Sequence, residues 1–385
     1  MRVFMRRCCL AGLVLMALAG CGSSKNKELK PVDLPSYERE VKVKTLWSKS
    51  IRGGLGKYYH QFQLAVDNRY IYAASQAGKV YQIDKQTGKT RWRVSLDVPL
   101  TTGVAVDQNH VYVGVASGAL VALQKSDGQQ AWSASLRSEL VAPPLVAGKN
   151  LLLQTSDGTI YNIDADSGEQ RWQHVASMPS LTLRGNSRAA QFASFVVFGQ
   201  ASGKLAVLDL DTGELRWDPR VAQAKGDTEI ERMVDVDATP VVVEDRLYAV
   251  SYQGQLVAYH LASGKPLWAV DESSYQDLAA GLGNIYVTRA DAVVNAYDQR
   301  SGELKWRQQD LLRRRLTAPA TVSSFLALAD YKGYIHLLSQ VDGRIVGRKR
   351  VSNKGVKSNI LVDGERFYVI ANNGRLKAYR LIARQ

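Results

Sequence analysis

The chain has 385 residues, of which 45% are hydrophobic, 22% charged and 8% aromatic, a composition that excludes intrinsic disorder and fibrous repeats for the chain as a whole. The formal net charge is +14, so the surface is expected to be basic. All three cysteines (Cys8, Cys9 and Cys21) lie within the first 21 residues, which excludes a disulfide scaffold, a cysteine-ligated zinc site and a cysteine nucleophile in the remainder.

The first twenty residues have the pattern of a secretory signal. Three arginines, Arg2, Arg6 and Arg7, precede an apolar stretch over residues 8–18. The ending, Leu18-Ala19-Gly20-Cys21, resembles the bacterial lipobox, in which the cysteine is acylated and becomes the first residue of the mature protein. An ordinary signal peptide with a chance cysteine is the alternative.

The residues after Cys21 bear on where the protein is retained. Gly22 stands where an Asp would resemble the inner-membrane retention signal, so the resemblance implies a lipid anchor in the outer membrane, on its periplasmic face. Residues 21–40 are polar, contain two prolines and show no periodicity. They are expected to form a flexible tether between the lipidated cysteine and a domain spanning residues 41–385.

Removal of residues 1–20 leaves 47 basic and 36 acidic residues, a balance of +11. No nucleic-acid partner is expected in the periplasm. The basic residues are scattered except for Arg313–Arg315 and the segment 347–350. Solvated surface charge is the favoured interpretation, and a patch for anionic lipid or another polyanion is the alternative.

An internal repeat runs through the rest of the chain. In the unit from Gly78 to Trp92, a second glycine follows the first by ten residues and a tryptophan follows it by fourteen. The same frame returns four times: Gly118 to Trp132, Gly158 to Trp172, Gly203 to Trp217 and Gly254 to Trp268. Successive opening positions, including three incomplete copies, are 40, 40, 45, 51, 38, 41 and 41 residues apart, the length of a four-stranded propeller blade.

The incomplete copies indicate how the repeats close. The sixth copy opens with Ala292 in place of glycine, the seventh has Gly347 where tryptophan is due, and the eighth opens at Gly374 and ends too early to supply its tryptophan. Trp47 has no repeat before it and matches the strand that the eighth copy lacks. The N-terminal strand is therefore expected to pair with the C-terminal three and close the ring.

Short runs of alternating β-branched, aromatic and polar residues separated by glycine-containing turns predict strands throughout. The predicted fold is all-β: an eight-bladed β-propeller of four-stranded antiparallel blades, with the tryptophans packed between adjacent blades. The repeat resembles the tryptophan-docking motif of pyrroloquinoline quinone dehydrogenases, best seen in Leu208–Trp217.

That resemblance makes an oxidoreductase the main alternative function. Those enzymes stack their quinone on a disulfide between adjacent cysteines, and no cysteine follows Cys21 in this chain. The triplet Asp211-Thr212-Gly213 occupies a repeated turn position, and Gly53–Gly56 precedes no helical pattern, so neither indicates a protease or a nucleotide site. The five histidines have no ligand spacing. We therefore expect no enzyme activity, no cofactor and no metal.

Two neighbouring repeats are enlarged. The insertions lie within Gln173–Phe195 and Asp218–Val236 and should form protruding loops on adjacent blades. The first contains apolar and basic side chains in a polar segment, and the second ends in two alternating acids before an inner strand. Ordinary core packing and strand-end solvation are the structural alternatives, and a protein-binding surface is the functional one. The residues concerned are Leu181, Leu183, Arg184, Asp235 and Asp237.

The lipobox, the single eight-repeat propeller and the segments Ser180–Gly185 and Asp235–Pro240 resemble the BamB family, lipoproteins of the β-barrel assembly machinery of Gram-negative outer membranes. The resemblance implies a non-enzymatic scaffold that assists the folding and insertion of outer-membrane β-barrel proteins. It also implies that the five residues named above contact the periplasmic POTRA domains of BamA.

Other lipoproteins of the assembly and nascent barrel proteins are further partners that the resemblance implies. A propeller that binds peptides or glycans outside barrel assembly has the same fold and location, and stays open as a third hypothesis.

Overall fold

The computed structural model describes residues 30–56, 62–176, 178–179, 187–223, 227–228 and 233–383. In these ranges every regular element is a β-strand, and the strands form eight four-stranded antiparallel sheets, so the predicted eight-bladed propeller is confirmed. Innermost strands of neighbouring blades contact one another around the ring, as β2 and β6 do in the first two blades, over Ala65–Val66 and Ala105–Val106. No helix in the described part of the chain is long and apolar enough to cross a membrane.

Each blade is given from its innermost to its outermost strand. Blade 1 consists of β2 (Ala65–Val66), β3 (Tyr70–Ala74), β4 (Lys79–Asp84) and β5 (Thr90–Ser95); blade 2 of β6 (Ala105–Val106), β7 (His110–Val115), β8 (Ala119–Gln124) and β9 (Gln130–Ser135); blade 3 of β10 (Leu145–Ala147), β11 (Asn150–Gln154), β12 (Thr159–Asp164) and β13 (Gln170–Val175); blade 4 of β14 (Ala190–Phe192), β15 (Phe195–Gly199), β16 (Leu205–Asp209) and β17 (Leu215–Trp217).

The second half of the ring follows the same plan. Blade 5 consists of β18 (Val241–Val243), β19 (Arg246–Val250), β20 (Gly254–His260) and β21 (Pro266–Glu272); blade 6 of β22 (Ala279–Gly281), β23 (Asn284–Thr288), β24 (Val294–Asp298) and β25 (Leu304–Gln308); blade 7 of β26 (Ala320–Val322), β27 (Phe325–Ala329), β28 (Tyr334–Ser339) and β29 (Ile345–Arg350); blade 8 of β30 (Leu361–Asp363), β31 (Arg366–Ile370), β32 (Arg375–Ala383) and β1 (Val41–Ser50).

The two central strands of a blade are buried on both faces because another blade covers each side. Every residue of β7 is buried, for example, while the outer strand β5 alternates, with buried Trp92 between exposed Arg91 and Arg93. Alternation of exposed and buried side chains is therefore found mainly in the outer strands. The core is a series of inter-blade layers around the ring.

The ring is closed by pairing the two ends of the chain. Strand β1 lies antiparallel to β32 as the outermost strand of blade 8, in register from Val41 opposite Ala383 to Ser50 opposite Arg375. This confirms that the segment around Trp47 supplies the strand missing from the eighth repeat. Because the sheet at the junction is completed by β1, its third strand is not left with an open edge.

The tryptophans pack between blades as the repeat predicts. Each indole lies against the turn glycine of the next blade, as Trp268 does against Gly302, whose φ is +73°. A β-carbon at Gly302 would lie 2.6 Å from Cδ2 of the Trp268 indole, so only glycine is accommodated. The indole N–H of Trp268 donates to the carbonyl oxygen of Gln299 in the same turn, at 3.1 Å. The same hydrogen bond recurs in five other seams, from Trp47, Trp92, Trp132, Trp172 and Trp306.

The seam between blades 7 and 8 explains the missing tryptophan at Gly347. In blade 8 no hairpin joins the third and outermost strands, because these are the two ends of the chain, and so no turn glycine is present to receive an indole. Val41 occupies the space instead. A β-carbon at Gly347 would lie 3.1 Å from both the carbonyl oxygen and Cγ1 of Val41.

The structure differs from the expected flexible tether over residues 32–40, which are docked on blade 7. Glu40 donates its backbone N–H to the Val346 carbonyl at 3.0 Å, and its carboxylate accepts two hydrogen bonds from Arg344, at 2.9 and 3.0 Å. Arg348 donates to the Pro35 carbonyl from both terminal nitrogens at 3.1 Å, and its guanidinium lies 4.8 Å from the Tyr37 ring centroid.

The docked segment begins at Val32, where the compact propeller unit also begins. Val32 donates its N–H to the Leu312 carbonyl at 3.2 Å and accepts from Nη1 of Arg314 at 3.0 Å. Arg314 is in turn held by Asp330, a buried carboxylate that accepts from Nε of Arg314 at 2.8 Å and lies 3.0 Å from Nε2 of His336. Composition alone could not show this docking, because the contacts use backbone carbonyls and arginines distant in sequence.

Candidate functional site

Both insertions connect the outermost strand of one blade with the innermost strand of the next. The first joins β13 to β14 (residues 176–189) and the second joins β17 to β18 (residues 218–240). In an antiparallel four-stranded blade, all such connections, and the turns between second and third strands, lie at one end of the ring, which we call the connection end. The two insertions therefore leave the propeller from the same end, on adjacent blade junctions.

The bases of the two insertions are hydrogen-bonded to each other. Ser187 Oγ donates to the Ala238 carbonyl at 3.3 Å, and the Arg188 N–H donates to Thr239 Oγ1 at 3.4 Å. Gly199, at the end of β15, lets the second insertion pass close by, since a β-carbon there would lie 2.1 Å from the Val236 carbonyl oxygen. The two loops thus share one anchoring point on the propeller.

The predicted contact residues divide into two groups. Leu181, Leu183 and Arg184 lie outside the described residues, as does the predicted lipidation site Cys21. Asp235 and Asp237 are described and precede strand β18, which begins at Val241, and they are 2% and 8% exposed. Asp235 and Asp237 are two positions apart, so both side chains point to the same side of the extended segment. In the isolated chain, that side faces the protein interior.

Asp235 is held by its backbone. Its carbonyl accepts the Tyr252 N–H at 2.8 Å, which ties the second insertion to the blade 5 turn between β19 and β20. Within the described part of the chain, Oδ2 of Asp235 accepts no hydrogen bond. Burial raises the pKa of Asp235 to about 7, although the Val236 N–H lowers it in part, because an ionised carboxylate is costly away from water.

A small cavity of 30 Å³ lies beside Asp235 and is lined by both insertions. Met178 and Ser187 come from the first insertion, Asp235 and Val236 from the second, and Thr155 from blade 3. Its volume suits about one water molecule, whereas ligand pockets are on the order of 300 Å³ or more. This cavity can position a loop but is too small for a small-molecule substrate.

A polar cluster that the sequence did not reveal crosses the axis of the ring near the connection end. Arg188 in blade 4 donates from Nη1 to Gln63 Oε1 in blade 1 at 3.2 Å. Asp277 in blade 6 accepts the Thr239 N–H and the Asn359 side-chain amide, both at 2.7 Å. Burial lowers the pKa of Arg188, and the charge of Asp277 partly offsets this.

These five residues share one repeat position, two residues before the first residue of an inner strand. Other blades carry Gly103, Pro143 and Ala318 at the same position. In the sequence, the only sign of this cluster is a polar residue just before an inner strand. That sign can be recognised only when the boundaries of the inner strands are known. The cluster links blades on opposite sides of the axis.

Among the described residues no group of three or more His, Cys, Asp or Glu side chains is arranged to hold a metal ion. The His336–Asp330 pair is buried and engaged by Arg314, as described above. The described residues therefore define a propeller in which the bases of two enlarged connections are hydrogen-bonded to each other.

Comparison with known proteins gives the family. The family model described as "Outer membrane protein assembly factor BamB" matches residues 43–100, 76–308 and 290–381. A curated relative of that name from Pseudomonas aeruginosa is 49% identical over 373 residues, covering 96% of this chain and 98% of the relative. The chain belongs to the BamB family of outer membrane protein assembly factors.

Solved structures agree with the fold. The crystal structure of BamB from Moraxella catarrhalis matches with a TM-score of 0.81 and 30% identity, covering 88% of this chain and 99% of that chain. Quinohemoprotein alcohol dehydrogenase from Comamonas testosteroni matches with a TM-score of 0.71 but 14% identity, covering 88% of this chain and 76% of that chain. The second likeness shows a shared propeller fold alone.

Proposed function

We propose that this chain is a non-enzymatic scaffold of the outer membrane β-barrel assembly machinery, anchored by lipid at Cys21 on the periplasmic face and bound to the POTRA domains of BamA. The observation that carries the proposal is the pair of enlarged connections, anchored to each other at one end of the propeller, in a member of the BamB family. In this role it assists the folding and insertion of outer membrane β-barrel proteins beside the other lipoproteins of the assembly.

The co-anchored loops support a protein partner for a physical reason. Hydrogen bonds between Ser187 and Ala238 and between Arg188 and Thr239 fix the bases of both loops before a partner arrives. Loops fixed in this way lose less conformational freedom on binding, and so more of the contact energy appears as affinity. Two long loops that start from adjacent blade junctions suit a folded domain better than a small molecule.

The five candidate residues have two different roles in this proposal. Leu181, Leu183 and Arg184 supply apolar contacts and a charge-assisted hydrogen bond to the POTRA domain. Asp235 and Asp237 are buried in the chain alone, and the backbone carbonyl of Asp235 fixes the second insertion to Tyr252. Their substitution should therefore affect both loop geometry and partner affinity.

The test uses the purified periplasmic region of BamA and the variant Leu183→Ala. Loss of a central contact of this type is expected to weaken binding about thirtyfold, while the urea unfolding midpoint stays unchanged. Leu282→Ala is the matched control, because Leu282 is 63% exposed and lies in a turn at the opposite end of the ring. Undiminished binding by a combined Leu181→Ala, Leu183→Ala and Arg184→Ala variant would refute the proposed surface.

Two further measurements address the anchor and the absence of catalysis. Mass spectrometry should detect an acylated residue 21 in the wild type and none in Cys21→Ser. Dye reduction after addition of pyrroloquinoline quinone and Ca²⁺ should stay at the level of the buffer, and turnover would overturn the scaffold proposal in favour of an oxidoreductase. Crosslinking in membranes separates BamA from unrelated peptide or glycan partners.

A further inference from the structure

A second surface at the connection end is strongly basic. It is formed by residues 49–56, 331–333, 349–357 and 372–377 of blades 7 and 8, which together contain nine basic residues and no acidic residue. We call this surface the basic rim. Its basic residues are Lys49, Arg52, Lys332, Lys349, Arg350, Lys354, Lys357, Arg375 and Lys377.

Backbone hydrogen bonds join these segments into one surface. Ile51 donates to the Gly374 carbonyl at 2.8 Å, Asn372 to the Gly355 carbonyl at 3.0 Å, and Val356 to the Asp330 carbonyl at 3.1 Å. The four segments are blade connections and turns between second and third strands, so all of them lie at the connection end. Basic residues that are far apart in sequence are thereby gathered into one place.

Three exposed charges of the rim have no ion pair with an acidic side chain of the described residues. Lys332, Lys354 and Arg375 are exposed, and no described acidic side chain lies within ion-pair distance of them. The nearest acid in sequence, Asp330, is fully buried and already bound to Arg314 and His336. Partial burial lowers the pKa of Lys377, and the charges of Arg375 and Lys349 lower it further. An external anion would relieve this repulsion.

The exposed side chains of the rim favour a phosphate-bearing surface over a protein. Protein interfaces usually have apolar or aromatic anchors at their centre. None of the exposed large hydrophobic residues of the described chain lies in the rim; they are Val98, Val175, Met178, Leu215, Leu267, Tyr275, Leu282, Leu304, Val341 and Ile382. Contacts from the rim are therefore mainly electrostatic.

The start of the docked segment places the rim beside the point where the tether begins. Val32 is bound to Leu312 and Arg314, and the Arg314 carbonyl accepts the N–H of Tyr331, the first residue of the rim turn 331–333, at 3.2 Å. Ten residues lie between Cys21 and Val32, which are eleven positions apart. Fully extended, they span at most about 40 Å. A lipid at Cys21 thus confines the connection end of blades 6 and 7 to the neighbourhood of the bilayer.

We propose that the basic rim binds the phosphate headgroups of anionic phospholipids in the membrane to which the chain is anchored. The inference rests on the lipid anchor of the proposed function. Each exposed Lys or Arg held near an anionic bilayer contributes about 1 kcal/mol of binding free energy, in addition to what a lipid anchor supplies. Blade 8 lies opposite blade 4 in an eight-membered ring, so the rim and the paired insertions occupy opposite sides of the connection end. The membrane and BamA can then be bound together.

The test is flotation of the chain from Gly22 onward, which retains the docked segment and the whole propeller but has no acyl group. Vesicles of phosphatidylethanolamine with phosphatidylglycerol should retain it, phosphatidylcholine vesicles should not, and retention should fall with added salt. The triple variant Lys332→Glu, Lys354→Glu and Arg375→Glu should bind the anionic vesicles on the order of a hundredfold more weakly.

The control variant Lys44→Glu, Lys89→Glu and Arg91→Glu changes the net charge equally at exposed positions outside the rim. Equal loss by the control, or undiminished vesicle binding by the triple variant, would overturn the proposal. If the triple variant kept its vesicle binding but lost binding to polyglutamate or to BamA, the partner of the rim would be an acidic polypeptide, and the lipid proposal would be refuted. Leu183→Ala should retain vesicle binding, and the triple variant should retain BamA binding. The two measurements therefore distinguish a failure of the BamA-binding proposal from a failure of the lipid-binding proposal.

Discussion

The contact between Trp268 and Gly302 allows the inter-blade seam to be tested within a single blade. Gly302 has φ +73°, and a β-carbon there would lie 2.6 Å from the indole. Gly283, in the same blade, has φ +75°, but a β-carbon there meets nothing within 4 Å. Substitution of either glycine by alanine imposes the same left-handed backbone strain, and only Gly302→Ala also disturbs the seam.

The expected magnitudes follow from these two terms. Backbone strain for alanine at positive φ costs about 1–2 kcal/mol, so Gly283→Ala should lower the free energy of unfolding by that amount. Overlap with a packed side chain adds about 1–3 kcal/mol. Gly302→Ala should therefore lower the free energy of unfolding by about 2–5 kcal/mol.

Urea unfolding followed by tryptophan fluorescence gives the two free energies, and the difference between the variants measures the seam contact. A double-mutant cycle with Trp268→Leu strengthens the assignment, because the smaller side chain should leave room for the added methyl group and reduce the penalty of Gly302→Ala. Equal destabilisation by the two glycine variants, or strict additivity with Trp268→Leu, would refute the docking explanation.

Four further predictions concern the seam between blades 7 and 8, the buried pair of Asp330 and Arg314, the buried Asp235, and the exposed ion pair between Arg344 and Glu40. Gly347→Trp should reduce stability in urea by about 3 kcal/mol, since blade 8 has no turn glycine and Val41 fills the space. Asp330→Asn should cost about 3–5 kcal/mol and increase proteolysis between residues 31 and 41, since it removes the charge partner of buried Arg314. The pKa of Asp235 is raised from 3.8 to about 7, so the unfolded state binds fewer protons between these values and stability should fall by about 3 kcal/mol as the pH rises from 4 to 7; in Asp235→Asn this fall should largely disappear. Arg344→Ala should cost less than about 1 kcal/mol, because its ion pair with Glu40 is exposed, and a larger loss would mean that docking of residues 32–40 stabilises the ring itself.

The repeat carried most of the fold prediction. Seven tryptophans at one repeat position, five of them preceded by two glycines at fixed distances, predicted the four-stranded blades, their number and the closure through Trp47. The prediction succeeded because each Trp and its docking Gly meet the same local requirement in every blade: a flat indole against a turn without a β-carbon. A requirement that recurs along the chain is visible without knowledge of the tertiary structure.

The site was predicted less completely. The lengths of the two insertions showed where the ring is elaborated, but not that Ser187 and Ala238 bind their bases together or that Asp235 is buried. The exposure of a side chain depends on which distant segment covers it, and the spacing of residues along one strand does not contain that information. The roles of Leu181, Leu183 and Arg184 in binding a partner stay predictions.

By itself, the sequence determined the all-β class, the eight repeats and the family resemblance, because these depend on local periodicity and on residues in fixed positions. Only the tertiary structure decided that Val32–Glu40 docks on blade 7, that Arg188 and Asp277 belong to one axial cluster, and that scattered lysines and arginines of blades 7 and 8 form a single basic surface. Each of these depends on closing the ring, which brings residues up to about three hundred positions apart into contact; Arg344 and Glu40, for example, are separated by 304 positions.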